Sequence, residues 1–432
     1  MTDPTTDSAL LHLPLHGFLA ALAVTYLATL VVSRMALHLK VPSILSILVL
    51  GVLLSPAKQL FSLETVEALH TVTLAMLLFV AGLNSDAHHI RGFLRYGVLL
   101  AIGGVIVSSL LLGGLIWGVC AMLTSLFGIG LPLPLDVALL VAACLGSTDS
   151  GATLNVLKSV KDRIPLRIRL LLEFESSVND PAAILFLFLV IGLAGAESGS
   201  SVLMLDQLQG FLKSIGSGIL VGLIMTYLAQ YTLNHLITSK DQILLMGISI
   251  ALASYGFSML LGGSGFISAY VTGLFLANNI YDNALITPEL LEHSLEPFNT
   301  TMQVTVFLLF GMLINPLDLP GAIPAGVLTA AGLMLIARPL SVLIFQRWSP
   351  FNLRGGLLIS WCGLRGAVPM ALGYSATTAL PSMARVSSAE EPAISSMIQG
   401  LIFSVVFINL TIQGLTLPWV CRRLETESTG GA

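Results

Sequence analysis

Apolar segments of membrane-spanning length recur from one end of this chain to the other, and no other feature restricts its possible folds as strongly. Thirteen can be counted, the first over residues 17–38 and the last over 394–421, separated by short polar connections. A helix crossing a hydrocarbon core needs roughly 20 mostly apolar residues. Composition agrees that lipid is the solvent, since 55% of the 432 residues are hydrophobic and 10% are charged, against about a quarter charged in an ordinary soluble domain. The pattern predicts an all-α polytopic membrane protein of about thirteen transmembrane helices. Residues 1–423 would form one transmembrane domain and 424–432 a short tail, with no soluble regulatory domain and no nucleic-acid partner.

The basic residues set the orientation, because cytoplasmic loops carry the excess of Lys and Arg. With the N-terminus outside and thirteen crossings, fourteen basic residues fall on one side and only Lys58, Lys213 and Arg385 on the other. The remaining two, Arg338 and Arg365, fall inside apolar segments. This asymmetry predicts an N-out, C-in protein of the inner (plasma) membrane. Met1 to Leu15 has no basic n-region, so the first span is expected to stay in place rather than be cleaved as a signal peptide. Cys120, Cys144, Cys362 and Cys421 are scattered one per apolar segment, without disulfide or zinc spacing.

Polar residues inside these segments are expensive in lipid and by default mark substrate or ion pathways. The sixth segment, 169–195, carries Glu173, Glu175, Ser176, Asn179 and Asp180 ahead of Pro181. Asp180 lies 11 residues past Arg169, and Asp149 of the fifth segment lies 9 residues before Lys158. At about 1.5 Å per residue both carboxylates sit roughly 14 to 16 Å deep, near the bilayer midplane. Ser176 and Asp180 share one helix face, and Glu175 with Asn179 the adjoining one. Pro181 has no N–H for the Ser177 carbonyl, so an acceptor is freed one turn from Asp180.

Around Asp149 the sequence is GSTDSGAT, residues 146–153. Gly weakens a helix interior, and Ser and Thr compete for backbone hydrogen bonds, so the fifth segment is expected to break. In transporters such breaks offer free carbonyls and helix-end dipoles to an ion; the competing reading is a small-residue surface for close helix packing. The twelfth segment breaks similarly around Arg365, beside Gly363, Gly366 and Pro369. Interrupted segments in matching positions of two halves point to inverted repeats with a site between them. Arg338 and Arg365 both need buried partners. Glu175 paired with one of them would be structural, leaving Asp180 and Asp149 free to titrate.

GSTDSGAT, FESSVNDPAA, the arginine of IARP and GLRGAV, in this order across four segments, resemble the monovalent cation:proton antiporter-1 family of NhaP-type and NHE-type exchangers. The resemblance implies that Asp180 is the ion-binding and proton-exchanging carboxylate, with Thr148, Asp149 and Ser176 around the cation. It further implies that Glu175 pairs with Arg338 and contacts Asn179, that Arg365 supports the twelfth helix, and that the protein is a homodimer needing no cofactor. Pro181 after Asn-Asp is closer to members that prefer potassium, so the resemblance leaves Na+, K+ and Li+ open.

One carboxylate that holds either a proton or a cation couples the two by competition. With neutral Asn179 beside Asp180, one proton would exchange for one monovalent cation without net charge movement. Two other readings use the same residues. Asp149 with Asp180 would form an aspartyl dyad of an intramembrane protease, but such a dyad shares a proton around a water, whereas Thr148, Ser176 and Asn179 offer cation ligands. A cation-coupled solute transporter would use the same breaks.

Overall fold

The computed structural model describes residues 15–38, 43–56, 63–85, 92–149, 164–195, 201–283, 285–383 and 385–423. It is built of helices: α1 (Leu15–His38), α2 (Ser43–Leu53), α3 (Leu63–Leu83), α4 (Leu94–Phe127), α5 (Leu135–Cys144), α6 (Leu166–Gly195), α7 (Ser201–His235), α8 (Asp241–Leu260), α9 (Gly265–Ala277), α10 (Pro288–Leu313), α11 (Leu319–Ile344), α12 (Leu353–Trp361), α13 (Ala367–Ala379) and α14 (Glu391–Arg423). Each of the thirteen apolar segments is helical over at least part of its length. Among the described residues, six helical stretches, including α4, α6, α11 and α14, are long and apolar enough to cross a membrane. Among the described residues the fifth segment is helical as α5; its second half, with Ser150 and Thr153, lies outside the described residues, as do Lys158, the N-terminal residues 1–14 and the tail 424–432.

The surface is apolar where a soluble protein would be polar. Tyr227 on α7 is 71% exposed and Leu260 at the end of α8 is 82% exposed, which is stable only against hydrocarbon. Inside, small and hydroxyl residues hold the helices together, as expected where lipid supplies no hydrophobic drive between them. α3 and α9 come so close that a Cβ on Gly82 or Gly273 would strike the backbone of the opposite helix. Ser254 of α8 bonds Ser268 and Thr272 of α9 at 2.8 and 2.7 Å, and Thr272 donates to the Gly222 carbonyl of α7 at 3.1 Å. Local sequence sets where helices begin: Thr287 accepts from the Leu290 amide ahead of Pro288 in α10, and Asn352 accepts from the Gly355 amide to start α12.

The order of long helix, interrupted helix, long helix occurs twice: α4, α5 with its break, α6; then α11, α12 with α13, α14. These two triplets pack on one another, while α10 packs chiefly on α2 and α3. The candidate site residues lie where the interruptions of the two triplets meet. The four cysteines are buried free thiols.

Candidate cation-binding site

α5 stops after Cys144, and Gly146, Ser147, Thr148 and Asp149 run on without helical structure. The second interruption spans Cys362 to Gly366 between α12 and α13. The two bond directly to each other. The Asp149 amide donates to the Leu364 carbonyl at 2.7 Å, and the Arg365 guanidinium donates to the carbonyls of Gly146 and Ser147 at 2.8 and 2.7 Å. Gly366 lies so close to Asp149 that a Cβ there would overlap the carboxylate. The Arg365 amide donates to Asn409 Oδ1 at 2.9 Å, and Asn409 donates to Gln413 at 2.5 Å, which fastens the second break to α14.

The break frees the carbonyls of Gly146 and Ser147 from helical bonds, and both accept from Arg365. A guanidinium is permanently charged and its donors are rigidly placed, so it satisfies two neighbouring oxygens at once.

α6 runs unbroken through Pro181 and brings its polar faces against the first break. Ser147 Oγ donates to Asp180 Oδ1 in a short hydrogen bond. Asn179 Oδ1 accepts from the Thr148 amide at 3.2 Å, and Asn179 Nδ2 donates to Thr148 Oγ1 at 2.6 Å. Thr148 Oγ1 also lies 3.0 Å from Ser176 Oγ. Glu175, one face round, pairs with Arg338 at 2.6 Å, and both are buried. Arg338 follows directly on a π-helical turn, Leu333–Ala337, which shifts the helix face by one residue. Its Nε lies against Gly363, where a Cβ would come within 2.9 Å, so the ion pair also braces the second break.

Asp180, Asp149, Ser147, Thr148 and Ser176 line one cavity of about 100 Å³. Its wall also includes Leu77 and Ala81 of α3, Asn84 just past that helix, Asn299 and Gln303 of α10, and the start of α13.

Asp180, Asp149, Thr148, Ser176, Asn179, Glu175, Arg338 and Arg365 thus lie within two adjoining clusters, and the Asn179 side chain bonds to Thr148 through both its oxygen and its nitrogen. Ser147 as the Asp180 partner, the Asn409–Gln413 pair, and Asn84, Asn299 and Gln303 were not anticipated. Asn299 and Gln303 recur at one-turn spacing in FNTTMQ, but at the edge of an apolar segment such amides look interfacial.

Taken together, these features define a polytopic helical membrane protein whose candidate site is assembled from two helix breaks that bond to each other. Residues 22–423 match the family described as sodium/hydrogen exchanger, transmembrane, and the chain belongs to it. It is 31% identical over 409 residues to the K+/H+ antiporter NhaP2 of Shewanella oneidensis, covering 91% of this chain and 65% of that protein. It is 27% identical over 432 residues to the Na+/H+ antiporter NhaS2 of Synechocystis sp., covering 98% of this chain and 74% of that one. The chain thus spans about two thirds of the length of the Shewanella relative. Its fold is that of the sodium proton antiporter MjNhaP1 from Methanocaldococcus jannaschii, with a TM-score of 0.78 at 21% identity over 95% of this chain and 99% of the other.

Proposed function

We propose that the protein exchanges a monovalent cation, Na+ or K+, for a proton without net charge movement, with Asp180 as the carboxylate that both ions share. The observation that carries this reading is the surrounding of Asp180: a buried carboxylate at the meeting of two helix breaks, ringed by the neutral oxygens of Ser147, Thr148 and Ser176 and reached by a cavity. A cation on those oxygens needs the carboxylate ionised, and a proton on it removes the charge that holds the cation. Binding of one therefore excludes the other. If only loaded carriers cross between inward- and outward-facing forms, exchange is obligatory. The second buried acid, Glu175, is neutralised by Arg338, so it does not take part. Asp149 stands at the cavity beside the site, where it supplies a further cation ligand.

K+ is a substrate candidate on equal footing with Na+, since the Shewanella relative is named for K+ and the Synechocystis relative for Na+. On this reading the protein sits N-out and C-in in the inner (plasma) membrane, which the asymmetry of its basic residues supports, with residues 1–423 as one transmembrane domain working as a homodimer.

Purified protein in liposomes tests this. A pH gradient should drive Na+ or K+ movement, and an imposed potential at equal pH should drive none. One uncompensated charge per cycle would add about 2.3 kcal/mol per 100 mV and make transport visibly voltage-dependent. Asp180→Asn should insert normally and exchange nothing. Exchange retained in that variant would overturn the mechanism, and voltage-driven accumulation would overturn the one-for-one stoichiometry.

A further inference from the structure

α10 places two amides on the cavity that the exchange step just described does not use. Asn299 and Gln303 are four residues apart, so they stand one turn apart on one face of the helix, and both line the cavity with Asp180 and Asp149. The Asn299 Oδ1 is buried and has no hydrogen-bond partner among the described residues. Its neighbours on the same helix behave differently: Thr300 and Thr301 donate back to the carbonyls of Glu296 and Pro297 at 3.0 and 2.9 Å. A buried acceptor without a donor is unfavourable and rare in a settled interior. A cation is the partner such an oxygen suits, because it brings charge and needs no proton to be shared.

The position also matters. α10 packs chiefly on α2 and α3, whereas the two breaks and α6 belong to the paired triplets. The amides therefore approach the site from the opposite wall, together with Asn84 just past α3. Amide oxygens replace water around a cation, and their number and spacing discriminate among ions. Being neutral, they let the cation move on to the carboxylate.

We propose that Asn299 and Gln303 form a cation-binding station on the α10 wall that takes the ion from water ahead of Asp180 and sets the preference between Na+ and K+. This rests on the reading of Asp180 as the exchanging carboxylate. The test is pH-gradient-driven exchange in liposomes with Na+ and K+ supplied separately, comparing wild type, Asp180→Asn, the double variant Asn299→Leu with Gln303→Leu, and Asn299→Asp. The double variant should raise KM for the preferred cation by about tenfold, keep kcat at saturating cation within about twofold, and change the ratio of the Na+ and K+ KM values; an altered KM at constant kcat marks lost binding rather than damaged chemistry. Asn299→Asp, which keeps an oxygen and adds charge, should hold KM at or below wild type. Should the double variant melt early, Asn299→Asp decides alone, and a raised KM there overturns the station. Unchanged KM values and ratio in a stable double variant, or a fall in kcat without a change in KM, overturn it too. Active wild type with silent Asp180→Asn in the same assay shows that the exchange reading stands independently. Inactive wild type or active Asp180→Asn would instead defeat that reading.

Discussion

The two helix interruptions are built from similar small residues, yet they carry opposite charge and are held in opposite ways. The first, after α5, presents Asp149 and has its freed carbonyls occupied by Arg365 of the second. The second, between α12 and α13, presents that arginine and is braced from outside by Arg338 at Gly363 and by Asn409 of α14. One break exposes a carboxylate, and the other donates to two of the backbone oxygens that the first leaves without helical bonds. The lesson is that carbonyls released by an unwound helix can be satisfied inside the protein. Here the unwinding brings the two breaks together, with an arginine holding the backbone.

Removing Arg365 should separate the two breaks most sharply. Arg365→Leu leaves the carbonyls of Gly146 and Ser147 buried without donors, at about 1 to 3 kcal/mol each, and should abolish exchange and lower the melting temperature in detergent. A variant as stable and as active as wild type would show that the arginine does not hold the first break. Breaking the outer brace should act on the second. Glu175→Gln leaves Arg338 buried and uncompensated, a loss of about 3 to 5 kcal/mol for a fully buried pair, measurable as earlier melting; equal melting would mean that the pair contributes nothing. A smaller effect is expected where the breaks touch. Gly366→Ala pushes a methyl group into Asp149, with overpacking of about 1 to 3 kcal/mol. It should weaken cation affinity more than stability, and unchanged affinity would remove Asp149 from the cation site.

Much of this was legible in the sequence because it depends on local periodicity and on the solvent. Apolar length fixes helices, the count from Arg169 puts Asp180 deep in lipid, and Gly and Pro mark the places where α5 and the α12–α13 segment give way. The impossibility of leaving Glu175, Arg338 or Arg365 unpaired follows from charge in a dry medium alone. Which groups pair does not follow. Arg365 meets backbone carbonyls rather than a carboxylate, Asp180 accepts from Ser147, and Asn299 and Gln303 reach the site from a helix more than a hundred residues further along the chain. Helical spacing relates residues within one segment, whereas these partners are chosen by the distance and rotation between segments. Those are set by close backbone contacts such as Gly366 against Asp149 and Gly273 against α3, and they exist only once the helices have packed.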